Sequence, residues 1–295
     1  MKLHGAEIVD TFAEAFPMWG SRVLITAATP EWALEAGRSM TGFATSVIGC
    51  KCEASIERGL APDETPDGRP GVSALLFAMD REGVGKRLVE RVGQCVLTSP
   101  TAACFSGVDA EETVDVGGRL RFFGDGYQAS KVLEGKRYWR VPVMEGEFLV
   151  QERFGVVEGV AGGNIIMLGR DAESALRAAE AAAGAMRSVE GVIMPFPGGI
   201  ARSGSKVGSR YSALPASTND VLCPTLRGQV EHTDVPPDVE AVFEIVIDGL
   251  ALEPVREAMR RGLVAAAEAG ASRVTAGNYG GKLGPHHIHL RELVP

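Results

Sequence analysis

The chain has 295 residues, enough for one large domain or two of about 150 residues each. Its net charge of −8 and the lack of any Lys/Arg block argue against nucleic acid as a main partner. The sequence contains no run of about 18 apolar residues, no signal peptide and only five cysteines, which predicts a cytoplasmic protein with reduced thiols and no membrane contact.

The first half of the chain predicts six elements in the order strand, helix, strand, strand, helix, strand. Thr29 is the expected N-cap of the first helix, Pro30 its first residue, and Thr41-Gly42 its end. The expected elements are a strand at Arg22–Ala28, the helix from Pro30, strands at Ala44–Cys52 and Val72–Met79, a helix at Gly85–Leu97 and a strand near Ala102–Phe105.

The second half predicts the same order again. Asp171 is the expected N-cap of its first helix, and Glu257 and Arg261 form an i, i+4 pair on the second. The expected elements are strands at Asn164–Gly169, Gly191–Phe196, Ala241–Asp248 and Arg273–Ala276, and helices at Ala172–Val189 and Leu252–Ala269.

The repeated order predicts an α+β fold of two ferredoxin-like (βαββαβ) lobes related by duplication. We expect an N-terminal lobe over residues 1–147 and a C-terminal lobe over residues 148–295. GGRLRFFGDGY and KRYWRVPV predict an inserted antiparallel hairpin region near residues 108–147. Because such a sheet leaves one face uncovered by its own helices, a homo-oligomer is expected.

A glycine-rich loop follows the strand at Gly191–Phe196. Glycines free backbone N–H groups for close approach, Ser203 and Ser205 add hydroxyl donors, and Lys206 adds a positive charge. The loop therefore predicts a site for a large, polar, anionic small molecule, with a plain flexible connector as the alternative.

Glu244 is the main catalytic candidate. It lies in VFEIVID, a strand that is otherwise apolar on both faces, with Val242 and Val246 on its own face. A carboxyl group that is desolvated there would favour its neutral form and could carry a proton, whereas the alternative is a solvent-facing strand residue.

Several further residues are candidate ligand contacts, each with a structural alternative. Asn278 and Tyr279 lie between small residues that let a ligand approach, but Asn and Gly are also ordinary turn residues. The other candidates are Phe123, Asp125 and Tyr127 in a glycine bend that could be a tight hairpin, Gly163 and Asn164 at a strand start, and Arg69 in a rigid turn.

No metal site is expected. Cys50 and Cys52 form C-x-C rather than C-x-x-C, and they are predicted to pack on one strand face. His286, His287 and His289 have no acidic or thiol ligand beside them and fit a polar terminal strand. Walker A, dinucleotide-binding and G-x-S-x-G motifs are absent, which leaves a site without a bound cofactor that positions two substrates for group transfer.

The motifs together resemble the formylmethanofuran:tetrahydromethanopterin formyltransferase family. The resemblance runs from Leu3 to Leu293 and is carried by TPDGRPG, FFGDGY, GVAGGN, VIMPFPGGIARSGSKVGS, FEIVIDG and TAGNYGGKLG. It is similar in particular to bacterial members, which act in formaldehyde oxidation as a subunit of a formyltransferase/hydrolase complex. The family's proposed catalytic carboxylate matches Glu244.

The resemblance implies formyl transfer between tetrahydromethanopterin and the amine of methanofuran or an analogue, both as substrates, in a cytoplasmic homotetramer without metal. Arg69, Lys206, Arg210 or Lys282 would then meet the anionic tails of the carriers. Two other functions stay open: a non-catalytic scaffold that binds the carrier for a separate formyl hydrolase, and a nucleotide-binding regulatory module.

Overall fold

The computed structural model describes residues 1–294. The α-helices of these residues are α1 (Pro30–Thr41), α2 (Val47–Cys50), α3 (Arg81–Arg91), α4 (Gly117–Leu120), α5 (Ala172–Met186) and α6 (Leu252–Glu268). The first nine strands are β1 (Lys2–Leu3), β2 (Ala6–Ile8), β3 (Phe12–Thr26), β4 (Glu53–Leu60), β5 (Gly71–Ala78), β6 (Ala103–Ser106), β7 (Thr113–Asp115), β8 (Ala129–Leu133) and β9 (Lys136–Val143). The others are β10 (Gly146–Gln151), β11 (Arg153–Gly155), β12 (Val157–Gly169), β13 (Val192–Ile193), β14 (Lys206–Val207), β15 (Ala216–Ser217), β16 (Ala241–Gly249), β17 (Arg273–Thr275) and β18 (His286–His289).

The chain divides into two compact units, each with its own apolar core. We call Met18–Gly159 the middle unit, and Met1–Pro17 with residues 160–294 the terminal unit. Each unit combines helices with a sheet of mostly antiparallel strands, so the predicted α+β class is confirmed. None of the helices in residues 1–294 has both the length and the apolar character of a membrane span.

In the middle unit the elements from β3 to β6 follow the predicted order, with α-helices between β3 and β4 and between β5 and β6 but none between β4 and β5. Strand β5 pairs antiparallel with β4 and β3, and β3 pairs antiparallel with β6, which gives the sheet order β4-β5-β3-β6. Helix α1 begins as expected. The Thr29 hydroxyl accepts the Trp32 N–H at 3.4 Å, and Pro30 has no N–H that would lack an acceptor in the first turn. The apolar faces of α1 and α3 complete the core over this sheet.

Three local predictions for the middle unit were wrong. Residues 47–50 form α2 rather than a strand, because the Ser46 hydroxyl accepts the Ile48 N–H at 3.3 Å; the strand begins only at Glu53. Cys50 therefore lies on a helical turn and does not share a strand face with buried Cys52. GGRLRFFG forms α4 and a 3₁₀ turn at Arg121–Gly124, not a hairpin strand, although KRYWRVPV does form β9 between β8 and β10.

In the terminal unit the order from β12 to β17 repeats that plan. Strand β16 pairs antiparallel with β13 and β12, and β12 pairs antiparallel with β17, which gives the sheet order β13-β16-β12-β17. Helix α5 begins at the predicted N-cap, where the Asp171 carboxylate accepts the Ser174 N–H at 2.7 Å. The alanine-rich face of α5 packs against α6 in the core of this unit.

The two chain ends add strands to the terminal unit, and only the one at the histidine segment was predicted from the sequence. Strand β2 joins the edge of the sheet beside β17, in parallel register. Strand β18 pairs antiparallel with the first residues of β3, so that His287 lies opposite Glu14. The histidine segment is therefore a terminal strand, as expected.

Candidate active site

Glu244 lies at the centre of β16, between β12 and the glycine-rich loop. Its backbone is opposite Ile166 in β12, and on the other side it exchanges two hydrogen bonds with Ala201, of 2.7 and 3.1 Å. The residue is 4% exposed, so of the two positions considered from the sequence the buried one is observed. The bridge to Ala201 fixes the start of the loop alongside this carboxyl group.

The two oxygens of the Glu244 carboxyl group have different surroundings. The Ser205 hydroxyl donates to Oε1 at 2.7 Å, whereas Oε2 is buried without a hydrogen-bond partner in residues 1–294. Burial raises the pKa of Glu244, and the hydrogen bonds from Ser205 offset only part of that effect. A carboxyl group with a raised pKa and one unpartnered oxygen can accept and return a proton.

The glycine-rich loop is ordered by its backbone and by one ion pair. Gly204 has a φ of +74°, where a side chain is strained, and an added Cβ would lie 2.7 Å from the Cβ of Asn219. Lys206 donates to the Asp220 carboxylate at 2.5 Å, which lowers the pKa of Asp220. Lys206 therefore has a partner within the chain.

The loop GNYGGKLG, residues 277–284 and called the second loop below, lies next to the glycine-rich loop. The Tyr279 hydroxyl donates to the Ser205 carbonyl at 2.8 Å, so that Tyr279, Ser205 and Glu244 form one hydrogen-bonded series. Burial raises the pKa of Tyr279, with smaller contributions from the charges of Glu244 and Glu14. The exposed side chain of Asn278 donates to the Thr11 hydroxyl at 3.0 Å.

Asn164 and Gly163 have internal roles in the structure. The buried Asn164 amide accepts the Gly277 N–H at 2.7 Å and donates to the Gly277 carbonyl at 3.1 Å, so it fixes the start of the second loop. A Cβ on Gly163 would lie 2.4 Å from a methyl group of Val255, so the absence of a side chain serves helix packing at this position. Both residues therefore act on the backbone and packing around the site.

Two openings lie beside Glu244. A small pocket of about 40 Å³ is lined by Glu244, Ser203 and Gly204, among others. A larger cleft of about 930 Å³ shares Ile166, Asn219 and Leu222 with that pocket and extends to Asn278. The small pocket has room for a one-carbon group, and the cleft has the volume of a typical small-molecule site.

Four predicted ligand contacts lie in the middle unit instead. The Arg69 guanidinium donates to Asp67 at 2.9 Å, to the Thr101 carbonyl at 2.5 Å and to the Thr26 hydroxyl at 3.1 Å, so its charge is paired within the turn. The other three, in the bend after α4, are Phe123, Asp125 and Tyr127; the two aromatic side chains are exposed, and Asp125 has a φ of +50°.

Of the remaining candidates, Lys282 is exposed in the second loop, and the Ser203 hydroxyl donates to the Gly204 carbonyl at 3.1 Å. Within residues 1–294, no group of three or more His, Cys, Asp or Glu side chains is arranged to hold a metal ion. Glu244, Ser203, Ser205, Lys206, Asn278 and Tyr279 are thus brought together in the terminal unit.

Glu14 is a buried acid that the sequence reasoning missed. It is 1% exposed, and its carboxylate accepts backbone N–H groups from four residues of the second loop: Tyr279, Gly281, Leu283 and Gly284. Burial acts to raise its pKa, but the four hydrogen bonds outweigh burial and hold the pKa below its ordinary value. The rule that singled out Glu244, a glutamate within an apolar strand, also applies to Ala13-Glu14-Ala15 and could have found it.

Comparison with known proteins gives matches along the whole chain. A family model described as formylmethanofuran-tetrahydromethanopterin formyltransferase matches residues 1–143, and one described as FTR, proximal lobe, matches residues 146–293. The formylmethanofuran–tetrahydromethanopterin formyltransferase of Methylococcus capsulatus is 58% identical, and the alignment covers 100% of both chains.

Two solved structures have the same fold. The formylmethanofuran:tetrahydromethanopterin formyltransferase from Methanosarcina barkeri superposes with a TM-score of 0.94 at 49% identity, over 99% of this chain and 100% of the other. A chain of the formyltransferase/hydrolase complex from Methylorubrum extorquens, solved in complex with methylofuran, gives a TM-score of 0.96 at 51% identity, over 100% of this chain and 99% of the other.

The fold and the two family matches define a two-lobed transferase of one-carbon groups. More specifically, the chain belongs to the formylmethanofuran–tetrahydromethanopterin formyltransferase family.

Proposed function

We propose that the chain transfers a formyl group between a ring nitrogen of tetrahydromethanopterin and the amine of methanofuran or an analogue, in one-carbon metabolism. The observation that carries this proposal is buried Glu244, which has a raised pKa and one unpartnered oxygen, in a chain that aligns with named formyltransferases over its full length. Both carriers are substrates.

Formyl transfer between two amines needs a proton carrier. The free amine attacks the formyl carbon, a new C–N bond forms, and the carbonyl oxygen becomes an oxyanion. Glu244 takes the proton from the attacking nitrogen and gives it to the departing nitrogen as the old C–N bond breaks. Because one acid both accepts and returns the proton, the same residue serves either direction of transfer.

The surrounding groups would bind the carriers and stabilise the oxyanion. Asn278 and backbone N–H groups of the two glycine loops are the candidate donors to the oxyanion, whereas the Tyr279 hydroxyl already donates to the Ser205 carbonyl and would have to exchange that partner. Lys282 is the exposed candidate for an anionic tail, whereas Lys206 already pairs with Asp220 and would have to exchange that partner. Ser203, at the small pocket, could donate to the formyl-bearing substrate.

The middle-unit candidates and the supporting residues stay proposals too. Exposed Phe123 and Tyr127 offer ring surfaces for a pterin, and Asp125 lies between them in sequence. Arg69 would contact a ligand only by leaving its partners in the turn. Gly163 and Asn164 would act on substrate indirectly, through the backbone that they hold.

The test is formyl exchange by the purified chain alone. With formylated methanofuran analogue and tetrahydromethanopterin, the wild-type chain should form formyl-tetrahydromethanopterin, and Glu244→Gln should lower kcat at least about a hundredfold. Glu240→Gln, an exposed acid just before β16, is the matched control and should keep the wild-type rate. A purified chain that binds carrier but exchanges no formyl group would support the scaffold function instead.

We also propose that each unit has the ferredoxin-like arrangement and that the two arose by duplication. The support is the shared sheet order: numbering the four strands of each βαββαβ series along the chain, both sheets read 4-1-3-2 with antiparallel neighbours. The lobe boundary between residues 147 and 148 stays a prediction: the family matches, which end at 143 and begin at 146, support it, whereas the compact units divide at Gly159.

Assembly is a further part of the proposal. A relative of 51% identity is part of a formyltransferase/hydrolase complex, which supports hydrolase subunits as partners of this chain. A homotetramer and a cytoplasmic location stay predictions from the sequence. Light scattering of the purified chain, alone and with co-expressed hydrolase subunits, would measure both kinds of assembly.

A further inference from the structure

Glu14 and Glu244 are both buried acids of the terminal unit, but the proposed reaction uses only Glu244. Glu14 lies in β3 between two fully buried alanines, opposite His287 of β18. Burying a carboxylate at this position is costly unless hydrogen bonds compensate, and the structure supplies four. The role of Glu14 therefore depends on the loop that donates those four hydrogen bonds.

All four donors are backbone N–H groups of the loop at residues 277–284. Oε2 accepts from Tyr279 at 2.7 Å and from Gly281 at 3.1 Å. Oε1 accepts from Leu283 and, at 2.9 Å, from Gly284. The loop turns through positive φ values at Gly280 and Gly281, so these N–H groups can converge on one carboxylate.

Through Tyr279, this loop contacts Ser205, which in turn contacts Glu244. Tyr279 donates its N–H to Glu14 and its hydroxyl to the Ser205 carbonyl, and the Ser205 hydroxyl donates to Glu244. Tyr279 is 39% exposed, so packing alone holds it only in part. Without the four N–H bonds to Glu14, the position of the Tyr279 hydroxyl would depend on Asn278 and on the Asn164–Gly277 contact.

We propose that Glu14 is a positioning residue for formyl transfer: its carboxylate folds the loop at residues 277–284 so that the Tyr279 hydroxyl holds Ser205 against Glu244. The inference rests on the proposed function only for its effect on rate. Its structural part, the ordering of the loop by Glu14, stands apart from the reaction.

The first experiment measures the loop without the reaction. Hydrogen exchange of the peptide covering residues 277–284 should be at least about tenfold faster in Glu14→Gln than in the wild-type chain, because Gln retains one acceptor oxygen and turns an NH₂ group toward two of the donors. Glu53→Gln is the matched control: Glu53 is also buried and accepts a backbone N–H, from Val47 at 3.0 Å, but in the middle unit. Equal protection of the loop in Glu14→Gln and the wild-type chain would overturn the inference.

The second experiment separates positioning from a general loss of structure. The profile of kcat/KM against pH has a midpoint that reports the ionisation of Glu244. In Glu14→Gln and in Tyr279→Phe this midpoint should move upward by about half to one pH unit, because Ser205 is held less firmly and its bond to the ionised carboxylate weakens. A direct charge effect of Glu14 would move that pH downward, because removing a negative charge favours ionisation of Glu244. An unchanged or lower value in either variant would overturn the inference.

A double-mutant cycle completes the test. If Glu14 acts through Tyr279, the two substitutions together should lower kcat/KM little more than Glu14→Gln alone, whereas independent effects would multiply. Should Glu14→Gln fail to fold, Glu14→Asp retains the charge, and the Tyr279→Phe profile still decides whether the tyrosine contact matters. If the wild-type chain exchanges no formyl group, the proposed function is refuted, but the hydrogen-exchange result still decides whether Glu14 orders the loop.

Discussion

Removing the Ser205 hydroxyl tests how the structure sets the proton affinity of Glu244. In Ser205→Ala, Oε1 loses its 2.7 Å hydrogen bond, and Oε2 is already without a partner in residues 1–294. A hydrogen bond to a charged group contributes about 1.5–3 kcal/mol, and one pKa unit corresponds to about 1.4 kcal/mol. The pKa of Glu244, already raised by burial, should therefore rise by about one to two further units.

The assay is the pH profile of kcat/KM for formyl exchange, which reports groups of the free enzyme. The profile of Ser205→Ala should be displaced to higher pH, with a loss of rate on its acidic side that shrinks as the pH is raised. Ser188→Ala is the control, because its hydroxyl only accepts from Arg261 and donates to the Ala185 carbonyl at the end of α5. A Ser205→Ala profile that coincides with the wild-type profile would refute the reasoning that this hydroxyl tunes the acid.

The other predictions concern stability. Glu244→Gln should have a higher Tm than the wild-type chain, and the difference should grow as the pH rises above about 4.5. The pKa of Glu244 is raised by folding, so the unfolded chain loses this proton first and the wild-type chain becomes less stable with rising pH. A difference in Tm that stays constant from pH 4 to 7.5 by calorimetry would contradict the prediction. Glu14→Gln should have the opposite dependence: its pKa is lowered, so the stability it contributes is present above about pH 4.5 and lost as the pH falls through the folded-state pKa, and the Tm deficit should shrink in acid. Gly284→Ala should destabilise the chain by about 1–3 kcal/mol in urea unfolding, since the added Cβ would lie 2.2 Å from the Ala15 carbonyl oxygen. Lys206→Met should change the unfolding free energy by less than about 1 kcal/mol, because its ion pair with Asp220 is partly exposed; a larger loss would show that the pair holds the loop together.

The helices whose starts the sequence predicted well are those with a local capping signal. Thr29-Pro30 marks the start of α1 and Asp171 that of α5, and both caps are present with the expected hydrogen bonds. The failure at residues 47–50 has a physical reason. Val47 and Ile48 favour a strand by propensity, but Ser46 caps a helical turn and the Glu53 carboxylate accepts the Val47 N–H.

The site was only half predictable because its two parts depend on different ranges of sequence. The burial of Glu244 follows from the apolar residues around it in one strand. Its contact with Ser205 depends on the backbone bridge between Ala201 and Glu244, and nothing in the loop sequence specifies that register. The two loops meet through the bond from Tyr279 to the Ser205 carbonyl, and the bond from Tyr279 to Glu14 joins residues separated by 265 positions, so only the folded chain reveals these contacts.

The two buried glutamates show how the same side chain acquires opposite properties within one unit. Glu244 has one hydroxyl donor, so desolvation prevails and its pKa is raised. Glu14 has four backbone donors, so hydrogen bonding prevails and its pKa is lowered. A proton carrier needs access to both protonation states, whereas a group that orders a loop needs a permanent charge. The number of donors that each carboxyl group meets therefore separates the proposed proton carrier from the proposed positioning residue.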